Sequence, residues 1–226
     1  MRNLFIPISV FIATLFLFLS SCDLPLAVSS MNAPLMTNKN ELHFNAGVNM
    51  LPDIGPYFSS SYAISNKFAL IANYYHINST ASEIYLDEED SLKIAQIEFG
   101  VGYYNKLNKN TTFEIYSGIG RAWNNYHAAN NDFHSNFLFI QPEIGTFSKY
   151  TEFGFSPRFY IIKSTNLDDI MFMIFPTFIT KLGYKYAFLT LQSGPALFIE
   201  EGIIPVTFGS IGIEIKLNKL YDKKKP

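Results

Sequence analysis

This chain has little charge, one cysteine, one tryptophan and, beyond residue 22, no long apolar run. Its 226 residues carry 17 Lys or Arg and 19 Asp or Glu, 16% in all, where ordinary soluble domains carry about 25%. The net charge of −2 excludes the basic field that nucleic acid demands. A lone cysteine, Cys22, excludes a disulfide within the chain. The four histidines, His43, His76, His127 and His134, show no metal-ligand spacing. No metal and no cofactor is therefore expected. No stretch after Cys22 holds the 18 or so consecutive apolar residues of a membrane-spanning helix. No Ser-, Gly- or Pro-rich linker and no central charge block divides the chain. What is plentiful is apolar: 48% hydrophobic and 16% aromatic, with 22 Phe and 14 Tyr. Such a chain shows apolar side chains to something other than water.

The first residues have the layout of an export signal. Arg2 supplies positive charge, Leu4 to Leu19 is apolar, and Ser20-Ser21-Cys22 closes the run with small residues. Leu19-Ser20-Ser21-Cys22 resembles a lipobox, the recognition site of lipoprotein signal peptidase. That resemblance implies a thioether-linked diacylglycerol on Cys22, which becomes the new, N-acylated terminus. The competing reading is an uncleaved N-terminal anchor. The expected division is a signal peptide at 1–21, a lipidated flexible tether at 22–40, a barrel at 41–217 and a basic periplasmic tail at 218–226. The tether lacks any sustained period, and the barrel lumen or rim is its other plausible position.

Period two dominates the mature chain. Leu42, Phe44, Ala46, Val48 and Met50 alternate with Glu41, His43, Asn45, Gly47 and Asn49. Ala95, Ile97, Phe99, Val101 and Tyr103 oppose Gln96, Glu98, Gly100 and Gly102. Ten segments are expected, at about 41–50, 55–65, 67–77, 92–104, 111–124, 136–147, 150–163, 170–181, 184–197 and 205–217. Because 55–65 and 170–181 alternate poorly, eight strands is the alternative. Soluble strands peak near five or six residues, whereas transmembrane strands need about 9–11. Short connections are expected at Ser65-Asn66, Asn105–Asn110, Ser148-Lys149 and Leu182-Gly183. Longer ones are expected at Asn78–Ser91, Asn125–Ser135 and Ser164–Asp169. Glycine recurs on the polar face, which suits a crowded lumen. The fold class is thus all-β: a closed antiparallel up-and-down transmembrane barrel. A soluble barrel with its apolar face inward is the competing architecture.

Gly100-Val101-Gly102-Tyr103-Tyr104 and Ser117-Gly118-Ile119-Gly120 lie in mid-strand. With them, residues 41–217 resemble the small outer-membrane β-barrel proteins, including the attachment/invasion-type and porin-like barrels. Ser210 to Leu217 looks like the last-strand signal read by the outer-membrane assembly machinery, with Gly212, Ile215 and Leu217 at its key positions. It departs from the pattern in ending on Leu217 and in being followed by nine residues. The resemblance implies an outer-membrane location, lipid-anchored at Cys22 on the periplasmic side, with membrane lipids and the assembly machinery as partners. Fold of this kind does not settle activity.

Catalytic constellations are sparse. His127 and His134 fall beside Asp132 and Ser135. Barrel lipid A deacylases use His and Ser with one residue between them on a strand, whereas His134 and Ser135 are adjacent and would face opposite sides of a strand. No catalytic residue is assigned. Glu98, Glu114, Glu143, Glu152, Arg158, Glu214 and Lys216 are expected in the lumen. There they form a salt-bridged filling, since buried charges require partners. Tyr57, Tyr62, Tyr74, Tyr75, Tyr103, Tyr104, Trp123, Tyr126, Tyr150 and Tyr160 recur near strand ends and suggest interfacial girdles. The expected function is a non-enzymatic outer-membrane barrel lipoprotein in envelope structure or surface interaction. Its alternatives are a narrow solute channel and a lipid-tethered soluble ligand-binding barrel.

Overall fold

The structure is a computed structural model and describes residues 30–51, 54–80, 91–126, 131–165, 170–199 and 203–217. Among the described residues, ten strands follow one another without an intervening helix. They are β1 Leu42–Leu51, β2 Gly55–Ala63, β3 Phe68–Thr80, β4 Ser91–Asn108 and β5 Thr111–Tyr126, then β6 Asn131–Phe147, β7 Thr151–Ser164, β8 Ile170–Tyr184, β9 Ala187–Ile199 and β10 Ile203–Lys216. Each strand pairs antiparallel with its sequence neighbours, and β10 returns to β1 to close the barrel. The closing register runs from His43↔Lys216 to Asn49↔Ser210. Ten strands, including β2 and β8, exclude the eight-strand alternative. Closure leaves no edge strand to pair with another chain.

The start of β1 and the end of β10 lie at one end of the barrel, with the connections 64–67, 109–110, 148–150 and 185–186. This is the turn end; β3 ends and β4 begins at the other, the loop end. Two of the expected turns move. Gly183 lies within β8, where a side chain would overlap the backbone of Ala187. It serves close strand approach, and Lys185 makes the turn at φ 57°. Asn105–Asn108 continues β4 through a bulge between Lys106 and Asn108. The expected loop 125–135 is also mostly strand, because β5 runs to Tyr126 and β6 starts at Asn131. Its polar residues there are tolerated by continued backbone pairing, as in Trp123↔His134 and Asn125↔Asp132.

The alternation places apolar side chains outside. Phe44, Phe58, Phe99, Ile119, Leu138, Phe153, Phe172, Phe178 and Ile213 are all exposed, Ile119 and Phe178 at 61%. The opposite positions are buried in the lumen, where glycines make room for rings. A side chain at Gly100 or Gly118 would collide with Phe139, at Gly120 with Phe137, and at Gly47 or Gly212 with Tyr57. The tyrosines divide between the two sides. Tyr62, Tyr74, Tyr103, Trp123 and Tyr150 face outward, whereas Tyr57, Tyr75, Tyr104 and Tyr160 are buried. The girdle expectation is corrected for those four: neighbours such as Tyr74 and Tyr75 must point to opposite faces of a strand. The side chain of Tyr126 lies outside the described residues.

A second correction concerns the segment before β1. Residues 30–36 are not a free tether, since each is buried inside the barrel, Met36 completely. Their backbone polar groups find lumenal partners, which the polar inner face supplies. Cys22, the signal segment, the rest of the tether and the tail 218–226 lie outside the described residues.

Glycine as ring space is testable. Gly120→Ala should destabilise the barrel by about 1–3 kcal/mol through overpacking against Phe137. Adding Phe137→Leu should recover most of that loss, as read by urea unfolding in detergent.

Candidate functional site

The lumen is the candidate site, and its inner side chains form layers. In the middle layer Arg158 Nη1 donates to Glu98 Oε2 at 2.7 Å. Glu98 also accepts from Asn73 Nδ2 at 2.7 Å, Gln96 Nε2 at 2.9 Å and the Tyr160 hydroxyl at 3.0 Å. Arg158 Nε donates to Gln141 at 2.7 Å, Nη2 contacts the same Gln141 oxygen, and the guanidinium lies 4.7 Å from the Phe139 ring centre. Four strands, β3, β4, β6 and β7, thus meet on one ion pair. The pair is fully enclosed, which makes its hydrogen bonds obligatory rather than optional.

Nearer the turn end, Lys181 Nζ meets Glu214 at 2.6 Å and Glu152 at 3.8 Å. Lys216 Nζ donates to both Glu152 oxygens at 2.6 Å and lies 3.3 Å from Glu214. His43 Nδ1 is 3.4 Å from Glu214, and Nε2 is 3.8 Å from Glu41. Glu41 precedes β1 and accepts from Thr37 N at 2.7 Å and Thr37 Oγ1 at 2.6 Å. Burial alone would raise the Glu41 pKa. The charge of His43 and the Thr37 bonds outweigh burial and hold the carboxyl below its ordinary range.

Glu114 and Glu143 stand opposite each other on β5 and β6. Glu114 accepts from the Tyr116 hydroxyl at 3.0 Å and from the Met36 amide. Neither Glu143 oxygen has a hydrogen-bond partner among the described residues. A cavity of about 50 Å³ at the turn-end mouth is bounded by Leu35, Thr37, Glu41, His43, Phe147, Glu152 and Lys216.

All seven charged residues expected in the lumen are buried there, as two separate ion-paired groups and the facing pair Glu114 and Glu143 rather than as one network. Arg158 joins only Glu98, while Lys216 joins Glu152 and Glu214. Lys181 is the residue that sequence reasoning missed. Met171, Met173, Phe175 and Ile179 share its inward face on β8, so apolar residues occupy both sides of that strand and hide the parity. Pairing of Glu152 with Lys181 across β7 and β8 is the signal that would have found it. Of the assembly-signal residues, Gly212 packs inward beneath Tyr57, Ile215 faces out at 44% exposure, and the Leu217 amide donates to Leu42 O at 2.9 Å. Ser135 is buried in the lumen while its neighbour His134 projects to the other side of β6.

Residues 30–37 thread this layered interior. Ser30 N donates to Asn49 Oδ1 at 3.0 Å. Met31 bonds twice with the Gln192 amide, at 2.6 and 2.8 Å. Gln141 Nε2 donates to Asn32 O at 2.9 Å, and Lys181 Nζ to Ala33 O at 2.6 Å. Leu35 adopts φ 53°, unusual for a residue with a side chain. Its methyl groups occupy the space that a side chain at Gly145 would take. The segment is an internal plug.

No known protein family matches the chain's sequence, and no curated relative matches it. Among solved structures it is similar to Ail, the attachment invasion locus protein of Yersinia pestis. The TM-score is 0.38 at 10% identity, over 79% of this chain and 99% of that chain.

Removing one partner of the central pair leaves the other buried and charged. Arg158→Met should cost about 3–5 kcal/mol of stability, and the double replacement Arg158→Met with Glu98→Met should recover much of it. Denaturant midpoints of the three variants measure both effects.

Proposed function

We propose that this chain is a non-enzymatic outer-membrane barrel lipoprotein with a filled lumen, serving in envelope structure or surface interaction. The single observation that carries this reading is the inverted arrangement of its side chains. Large apolar residues cover the outside, while Glu98, Glu114, Glu143, Glu152, Arg158, Lys181, Glu214 and Lys216 are buried within. A soluble barrel would expose a continuous apolar surface to water, which soluble monomers avoid. In a bilayer the same surface is solvated by lipid, and closure satisfies every backbone group inside the hydrocarbon. Short turns gathered at the end where β1 starts and β10 ends match the periplasmic end of bacterial barrels.

Two observations favour a structural or interaction role over transport and catalysis. Residues 30–36 fill the lumen and are tied to its wall at several levels. His134 and Ser135 point to opposite sides of β6 and form no dyad. The lipid on Cys22 is the part of the proposal that rests on the signal segment alone.

Fractionation tests both halves. Wild type should partition with outer membranes and migrate faster unboiled than boiled. Cys22→Ala should lose incorporated palmitate yet stay membrane-bound, because the strands anchor it. Release of Cys22→Ala as a soluble protein would overturn the barrel assignment. In planar bilayers the purified protein should give no conductance steps.

A further inference from the structure

The outside of the turn end is basic. Each of its four connections contributes an exposed lysine: Lys67, Lys109, Lys149 and Lys185. Lys39, before β1, and Lys106, near the end of β4, are exposed beside them. The described carboxyl groups in that half of the barrel, Glu41, Glu114, Glu143, Glu152 and Glu214, are all buried in the lumen. The lysines they pair with are the inward Lys181 and Lys216. None of the six exposed lysines has a carboxylate partner among the described residues.

Two of these lysines sit on a built platform. Gly183 N donates to Tyr150 O at 2.9 Å, which fastens the β6–β7 and β8–β9 turns side by side. The Tyr150 and Tyr184 rings lie 5.4 Å apart, tilted by 30°. Lys149 Nζ is 5.0 Å from the Tyr150 ring centre and 5.7 Å from that of Tyr184, and Lys185 Nζ is 4.8 Å from Tyr184. A ring face attracts an ammonium group without neutralising it. Neither ammonium has a hydrogen-bond acceptor among the described residues. Lys67, by contrast, already donates to Asn105 at 2.6 Å and to the Tyr103 hydroxyl at 3.4 Å.

The wall next to the platform decides what it fits. Tyr184 continues the outward row of β8 after Phe178 and Leu182. Leu189 stands opposite Leu182, and Phe153 faces outward on β7. A ligand seated here meets two ammonium groups and two aromatic rings at one end and an apolar wall along the rest. A soluble anion or an acidic protein would use only the charged end. An amphiphile with an anionic head and hydrocarbon tails uses both.

We infer that Lys149, Tyr150, Tyr184 and Lys185 bind the phosphate-bearing head group of an anionic glycerophospholipid, whose acyl chains lie along Phe153, Leu182 and Leu189. The inference rests on the outer-membrane reading and deepens it, since it gives the leaflet at the turn end a preferred lipid and that lipid a fixed place on the barrel.

Native mass spectrometry of the folded, detergent-purified protein tests it. The probes are phosphatidylglycerol and phosphatidylcholine with identical acyl chains, supplied together in equal amounts. Wild type should retain phosphatidylglycerol in preference by roughly 20-fold, about fivefold for each lysine. Lys149→Gln combined with Lys185→Asn, asparagine being suited to the left-handed backbone at φ 57°, should abolish the preference. Lys149→Gln alone should lower it about fivefold, and Lys67→Gln combined with Lys109→Gln should leave it in place. Glycerophosphoglycerol, the same head group without tails, should not displace the lipid. Equal retention of the two lipids by wild type, an unchanged preference in the Lys149 variants, or displacement by the free head group overturns the inference. Unboiled gel mobility reports that each variant is folded. Membrane fractionation reports the outer-membrane reading separately, because the preference is measured on the folded protein wherever it partitions.

Discussion

Pairing of β10 with β1 is the constraint on which the rest of this molecule depends. Strands of nine to 18 residues carry long rows of backbone donors and acceptors, and each row must find a partner. Sequential hairpins satisfy all but the two outermost rows, and the His43↔Lys216 register joins those to each other. Once the sheet is closed, a side chain can point only into the lumen or away from it. The alternation along every strand then becomes an inside and an outside, and a single-residue slip would exchange them. Gly47 and Gly212 sit directly opposite each other at this seam, where the hydroxyl-bearing ring of Tyr57 lies against both.

Electrostatics follow from the enclosure. Six inward carboxyl groups, Glu41, Glu98, Glu114, Glu143, Glu152 and Glu214, share the described lumen with Arg158, Lys181, Lys216 and His43. The charges are tolerated because most are multiply bonded. Glu98 has donors from four residues besides Tyr75, and Glu152 and Glu214 are shared by two lysines. Glu143 is the exception, and it faces another carboxyl group. Lys181 links the wall to the plug, since one ammonium group serves Glu214 and the Ala33 carbonyl.

The plug carries its own costs. Leu35 holds a left-handed backbone that non-glycine residues adopt sparingly, and Gly145 gives up a side chain to receive it. Both are offset by burial of Met31, Leu35 and Met36 and by hydrogen bonds to Asn49, Gln141, Gln192 and Glu114. A lumen filled by covalently attached chain needs no separate ligand to exclude water from the charged layers.

The strand periods, the closed ten-strand architecture and the parity of Glu98, Glu114, Glu143, Glu152, Arg158, Glu214 and Lys216 were legible in the sequence. Period two is a local property, set where each side chain leaves the backbone, and it survives in one dimension. Strand ends were less legible: polar residues at 131–135 read as loop although neighbouring strands continue to pair there. Partnerships were not legible at all. Arg158 meets Glu98 across 60 residues, and Lys181 meets Ala33 across 148. Such distances become contacts only through the accumulated register of the intervening hairpins. The same holds for residues 30–36. Their sequence shows no period because they pair with no strand, and only the closed wall around them decides that they are a plug.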